Sequence, residues 1–268
     1  MKNHKFFDGK VIWITGASSG IGEALAIKLS AWNTHLILSS RRREELERVK
    51  AGLNLRPEDV YVLPLNLGDP TSLEEKAKEA QKVFGRIDIL INNGGISQRS
   101  RIMETSVETD RKIMEINYFS GVILTKSVMP SMLARGFGHI VAVSSVTGKF
   151  GFPLRSAYSA SKHAMYGFYE SLRAEYSDQG IRTTIICPGR VSTNISLGAL
   201  GPDGKPQKIM DPGQQYGIPA ESCAMDIING IRKNKRDVYS GGKELLMVYI
   251  KRFLPCLAYR LARKVKRI

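Results

Sequence analysis

Short aliphatic runs alternate along this chain with longer stretches whose apolar positions recur every three or four residues. Val11-Ile12-Trp13-Ile14 predicts a strand, and residues 21–32 predict a helix. The alternation continues with strands at Leu36-Ile37-Leu38, 60–63, 87–91, 139–143 and 183–187. Helical patterns fill 43–51, 72–84, two stretches within 106–135, and 157–179. The strand runs are apolar at nearly every position, as in strands covered on both faces.

Repeated strand–helix units of this kind predict an α/β fold. The expected form is a Rossmann-type, doubly wound parallel sheet of about seven strands, with helices on both faces and right-handed crossovers. The periodicity weakens after Pro188. Residues 189–218 hold nine Gly and Pro, and this long irregular segment is the expected substrate loop. A helix over 219–233 and a short strand around Val238 complete a domain spanning 1–242.

Residues 243–268 read differently. Leu246, Ile250, Phe253, Leu257, Leu261, Val265 and Ile268 recur at helical spacing, with Lys251, Arg252, Arg260, Arg263, Lys264 and Arg267 between them. Pro255 splits or kinks the helix. This basic amphipathic segment carries +7 of the chain's net charge of +15. It suits peripheral contact with an anionic membrane, or packing on its own domain or a second subunit. No nucleic-acid module or aromatic platform accompanies the charge, so nucleic acid is not an expected partner.

Other classes fall away. The longest stretch free of Asp, Glu, Lys and Arg is 13 residues, 136–148, too short to span a bilayer. The first residues lack an apolar signal core. Three cysteines and four histidines show neither disulfide nor metal-ligand spacing, so no metal is expected. A reducing, cytoplasmic setting follows from that cysteine usage, with the tail touching a membrane surface at most.

The first strand runs into Thr15-Gly16-Ala17-Ser18-Ser19-Gly20-Ile21-Gly22 and then a helix. Glycines at 16, 20 and 22 allow a tight turn and close approach of backbone to a pyrophosphate, with the helix N-terminus facing it. Alternatively, they serve the turn alone. The second strand ends in Ser40-Arg41-Arg42-Arg43. A carboxylate there would hold a ribose 2′-hydroxyl. A guanidinium suits a 2′-phosphate instead, so NADP(H) is the expected cofactor, with Arg41 as its phosphate contact.

Tyr158 and Lys162 stand four residues apart in a helical stretch and share a face. A phenol titrates near 10, too high for proton exchange at neutrality, and nearby positive charge lowers it. Ser145 ends a strand thirteen residues earlier, where its hydroxyl can donate to a carbonyl. Asn92-Asn93-Gly94-Gly95 ends another strand, and Asn117 needs a polar partner in its apolar helix.

With these residues in this order, the chain resembles the short-chain dehydrogenase/reductase superfamily, in its single-domain subgroup. The resemblance rests on Thr15-Gly16-x-x-x-Gly20-x-Gly22, Asn92-Asn93-Gly94-Gly95, Asn117, Ser145, Tyr158-x-x-x-Lys162 and Pro188-Gly189 with Thr193, over about residues 8–240. The stretch 140–165 and the Met210-Asp211 region are similar to the dehydrogenase/reductase member-seven branch.

The resemblance implies roles. Tyr158 is the acid in reduction and the base in oxidation. Lys162 lowers its pKa and holds the nicotinamide ribose, Ser145 polarises the carbonyl, and Asn117 holds a relay water. Ser18, Ser19, Ile21, Ser40, Asn66, Leu67, Asn93, Gly94, Pro188, Gly189, Val191 and Thr193 join Arg41 and the glycines around the cofactor. Two positions depart from the family pattern. Gly94 replaces a usual alanine, which should be tolerated. Asn66 replaces a usual aspartate on the adenine, which predicts altered affinity.

The implied activity interconverts a carbonyl and an alcohol at the expense of NADP(H). The expected partner is a small, apolar or lipid-like substrate, because Val146, Phe150, Phe152, Leu154, Ile195, Leu197, Leu200, Met210 and Tyr216 can wall a cavity. Several of them can equally pack the loop on the core. Gln98, Arg99 and Arg101 leave room for an acidic substrate group. The family's habit implies a homodimer or homotetramer. The competing readings are a redox sensor or scaffold with little turnover, and a membrane-associated interaction protein acting through its tail.

Overall fold

The structure, a computed structural model, describes residues 5–263. The last positions of the amphipathic pattern, Lys264, Val265, Arg267 and Ile268, lie outside the described residues. In chain order the elements are β1 (Val11–Thr15), α1 (Gly20–Leu29), β2 (His35–Ser39), α2 (Arg43–Ala51), β3 (Val60–Val62), α3 (Pro70–Val83) and β4 (Ile89–Asn92). There follow α4 (Val107–Met114), α5 (Ser120–Ala134), β5 (Gly138–Val143), α6 (Ser156–Tyr176), β6 (Ile181–Pro188) and β7 (Val191–Ser192). The chain continues with α7 (Pro212–Gln215), β8 (Ile218–Pro219), α8 (Ala220–Arg232), β9 (Asp237–Ser240), α9 (Leu246–Phe253) and α10 (Pro255–Arg263).

Seven strands form one parallel sheet in the order β3-β2-β1-β4-β5-β6-β9, the expected doubly wound architecture. The winding reverses between β1 and β4, which opens a crevice at the C-terminal ends of those strands. Every residue of β1 and β5 is buried, so apolar side chains leave both faces of the sheet. On one face Ile12, Ile14 and Ile91 meet Leu25 and Leu29 of α1 and Ile227 of α8. On the other, Trp13, Leu90 and Ile140 meet Leu73 of α3, Leu124 of α5 and Tyr169 of α6. Each such aliphatic side chain contributes about 1.5–3 kcal/mol on burial.

Local chemistry moved some predicted boundaries. β4 starts at Ile89 rather than 87, because Asp88 accepts the Val11 amide at 3.0 Å and pairs with Arg86. α3 starts at Pro70 rather than 72, since proline is well placed in a first helical turn. The two helices expected within 106–135 are joined without a break by a π turn, Glu115–Phe119.

The loop after β6 is tied down. Leu200 exchanges backbone hydrogen bonds with the segment after β4, donating to Ser97 at 2.9 Å and accepting from Arg99 at 2.8 Å. Leu200 then packs with Ile113 and Ala157. The C-terminal segment divides at Pro255, as the sequence predicts. Val248 of α9 is buried against Val146 and Phe150, so these two expected cavity walls serve packing. Among the described residues no helix is long and apolar enough to cross a membrane.

Candidate active site at the C-terminal edge of the sheet

The crevice between β1 and β4 begins with a turn that only glycines can make. Gly16 and Gly20 adopt φ of +66° and +59°, in the left-handed region. A Cβ on Gly22 would collide with the Gly16 carbonyl. Ser19 leads into α1 without capping it by its side chain, so the first amides of α1 remain available to an anion. Asn93 locks the turn to β4: its Nδ2 donates to the carbonyl oxygens of Thr15 at 3.0 Å and Gly16 at 3.3 Å. The Thr15 hydroxyl oxygen accepts the Asn93 and Gly94 amides at 3.0 and 3.1 Å.

At 94, a Cβ would stand 2.5 Å from Leu67 Cδ1. The Gly94 departure thus lets Leu67 lean into the turn. At 66, Oδ1 already accepts the Gly68 amide at 3.1 Å, and Nδ2 is the remaining polar group.

Arg41 and Arg42 are exposed and make no ion pair among the described residues, whereas Arg43 pairs with Glu47. Ser40 donates weakly to the Arg42 carbonyl at 3.5 Å. Sequence reasoning missed Arg48. It reaches back from α2 to donate to the Ser18 carbonyl at 3.2 Å and to Glu23 at 2.8 Å, bracing the glycine turn. Its distance from Ser18 in sequence left no local signal.

The second half of the site is gathered from β4, β5, β6, the π turn and α6. Ser145 follows β5 and is buried; its Oγ accepts the amide and hydroxyl of Thr147 at 3.2 and 3.1 Å. Both contacts use it as acceptor, so its own proton is free to donate. Tyr158 and Lys162 lie on one face of α6, with Nζ 5.7 Å from the phenol ring centroid. The Lys162 ammonium donates to the Val143 carbonyl at 2.8 Å, and burial pulls its pKa down to about 8.

Burial pushes the Tyr158 phenol above its ordinary value. The Ser145 hydroxyl beside it, and then the guanidinium groups of Arg155 and Arg99, oppose that rise. Two arginines that the spacing did not single out for this role thus add positive charge near the phenol. Asn117 sits in the π turn. Its Oδ1 accepts the Ile96 amide at 2.8 Å, and its Nδ2 donates to Ile96 O and Ser161 Oγ, both at 3.0 Å. Ser161 in turn donates to the Tyr158 carbonyl at 2.8 Å.

Two further residues position this half. Gln98 is fully buried and caps α6: its carbonyl accepts the amides of Ala157 at 2.9 Å and Tyr158 at 3.4 Å. Glu244, from the turn before α9, accepts the amides of Arg190 and Gly242 beside the Pro188-Gly189 loop. Thr193 lies against Gly20, where a Cβ would meet its methyl at 3.0 Å, and Val191 is buried beneath it in β7. The described residues hold no cluster of His, Cys, Asp and Glu fit for a metal.

Similarity to known proteins agrees with this arrangement. The family model described as short chain dehydrogenase matches residues 10–199. An Anopheles gambiae dehydrogenase/reductase SDR family protein 7-like is 44% identical over 242 residues, covering 88% of this chain and 76% of that one. The mouse dehydrogenase/reductase SDR family member 7B is 40% identical over 266 residues, covering 97% and 82%. A short chain dehydrogenase/reductase from Burkholderia phymatum, solved in complex with NAD, superposes with a TM-score of 0.81 at 24% identity, covering 94% and 95%. The sheet order, the glycine turn at its switch point and these relatives converge: the chain belongs to the short-chain dehydrogenase/reductase family of nicotinamide-dependent oxidoreductases, in the member-seven branch.

Proposed function

We propose that the protein is an NADP(H)-dependent oxidoreductase interconverting a carbonyl and an alcohol on a largely apolar substrate, with Tyr158 as the proton-transfer group. The observation that carries this is the convergence of Ser145, Tyr158 and Lys162 at the C-terminal edge of β5, with the phenol half-buried and the Ser145 hydroxyl beside it. The residues present fit a dinucleotide. The turn at Gly16, Gly20 and Gly22 is bare of side chains, α1 has no side-chain cap, and Arg41 makes no ion pair among the described residues where a 2′-phosphate would lie. When bound, the cofactor supplies or accepts the hydride.

The chain's own groups do the rest. Ser145 donates to the substrate oxygen and polarises it. Tyr158 delivers a proton to that oxygen in reduction and removes it in oxidation. Lys162 sits on the same helix face and, with Arg155 and Arg99, favours the phenolate between turnovers. Asn117 fixes Ile96 and, through Ser161, the backbone at Tyr158, so it holds the geometry of the proton donor. Tyr158→Phe should abolish NADPH consumption with a carbonyl substrate while leaving the NADPH dissociation constant within about twofold. Retained turnover rejects the reading.

We also infer that the outer face of α9 and α10 meets an anionic membrane. Leu246, Phe253, Leu254 and Leu257 are exposed there, with Lys251, Arg252, Arg260 and Arg263 among them. Phe253→Glu with Leu257→Glu should prevent flotation with phosphatidylserine-containing liposomes. Undiminished flotation rejects this inference.

A further inference from the structure

One charged cluster at the catalytic edge is not used by the reaction as described. Asp211, from the substrate loop, takes two guanidinium groups on a single oxygen: Arg99 Nη2 at 2.8 Å and Arg155 Nη2 at 2.7 Å from Oδ2. Its other oxygen accepts the Gly213 amide at 2.8 Å. All three side chains are largely withdrawn from solvent, at 11%, 20% and 11% exposure for Arg99, Arg155 and Asp211. Arg190 stands against Gly213 nearby and has the Glu244 carboxylate beside it. The remaining set is two cations on one anion.

An excess positive charge in a half-buried site is unfavourable unless an anion completes it. Arg155 feels this: burial first, and then Arg99, lower its pKa to about 10. The two arginines are not equally engaged. Arg99 also donates to Ser97 Oγ and the Gln98 carbonyl, both through Nη1. The Arg155 guanidinium makes one hydrogen bond, through Nη2, among the described residues, and lies 5.1 Å from the Phe152 ring centroid. Its other donors make no hydrogen bond among the described residues, and a guanidinium can receive an oxyanion on two parallel bonds. Arg155 also lies three residues before Tyr158 on the opening of α6, and its charge reaches the phenol. A substrate with its carbonyl at Tyr158 can therefore set an anionic group against Arg155.

We propose that Arg155, backed by Arg99, receives an anionic group of the substrate, so that the preferred substrate is an amphipathic carbonyl compound bearing a carboxylate. This rests on the reading of Tyr158 as the proton-transfer group. Asp211 occupies part of the same guanidinium surface and ties the substrate loop to it, so the site and the loop share one joint.

The test compares a straight-chain ω-oxo carboxylic acid with its methyl ester. With the wild-type protein, kcat/KM for NADPH consumption should favour the acid by about tenfold or more. Arg155→Gln should bring the acid-to-ester ratio to within about twofold of one, and Arg155→Lys should keep part of the preference. A second measurement is independent of turnover. Calorimetric binding of the matching ω-hydroxy acid to the NADP-loaded protein should weaken about tenfold in Arg155→Gln, and should tighten in Asp211→Asn. Equal turnover of acid and ester overturns the anion site and leaves the oxidoreductase reading intact. Arg155-dependent binding without any turnover does the reverse. A ratio unmoved by Arg155→Gln shows a purely structural clamp and also overturns the proposal.

Discussion

Gln98→Leu tests whether a buried amide positions the proton donor. The native side chain is fully buried, and its carbonyl caps the amides of Ala157 and Tyr158. Its Nε2 donates to the hydroxyls of Ser100, Thr105 and Ser156 at 3.2, 2.9 and 3.3 Å. Leucine keeps the volume and removes every one of these bonds. Loss of the cap costs about 1 kcal/mol. Ser100 and Thr105 retain each other at 2.7 Å, so Ser156 is the hydroxyl left short, at about 1 kcal/mol more. The urea-unfolding free energy should therefore fall by about 2 kcal/mol. A domain stable by about 5–15 kcal/mol stays folded after such a loss. Any activity change then reports the placement of Tyr158. A displacement near 1 Å can lower turnover by up to about a hundredfold, and we expect kcat to drop about tenfold or more. NADPH affinity, set on the other side of the crevice, should move less than about twofold. A destabilisation below about 0.5 kcal/mol would refute the cap. Full kcat in a clearly destabilised variant would refute its link to Tyr158.

Arg41→Ala should weaken NADPH about tenfold while leaving NADH within about twofold, measured by quenching of protein fluorescence; equal losses reject the 2′-phosphate contact. Gly22→Ala puts a methyl onto the Gly16 carbonyl and within 2.7 Å of Asn93 Nδ2. It should cost about 1–3 kcal/mol in urea unfolding and weaken NADPH more than tenfold, since the turn must open to accept it. An unchanged unfolding midpoint would show that the turn yields without strain.

The fold was legible because its strands are apolar on both faces and each is followed by a helical period. That Tyr158 and Lys162 share a face of α6 was legible because they are one helical turn apart, a local relation that spacing alone reveals. Contacts built across the chain were not. Arg99 and Asp211 are 112 positions apart, and Gln98 and Ala157 are 59 apart; neither pair leaves a periodic trace. The π turn that carries Asn117 was hidden for a related reason: one extra residue per turn does not disturb the apolar pattern enough to be read. Arg48 carries no local sign of its role, because Glu23 and Ser18, which it reaches, are 25 and 30 positions away. The cavity walls were half legible. Apolar type was plain, but whether Val146 and Phe150 face a ligand or α9 depends on where residue 248 comes to rest.

The carboxylate of Glu244 fills the space that a side chain at 189 would need. The C-terminal segment is therefore keyed into the catalytic edge before its amphipathic helices begin. A deletion or fusion joint set at 242 strips the acceptor from two loop amides and slackens the border of the cofactor crevice. One set after Leu254 leaves the key in place. Comparisons of activity with and without the tail are interpretable only with the second cut, because the first alters two devices at once. The same key offers a route for information. Whatever pulls on α9 pulls on the loop that begins at Pro188, so the tail can act as a handle on that loop.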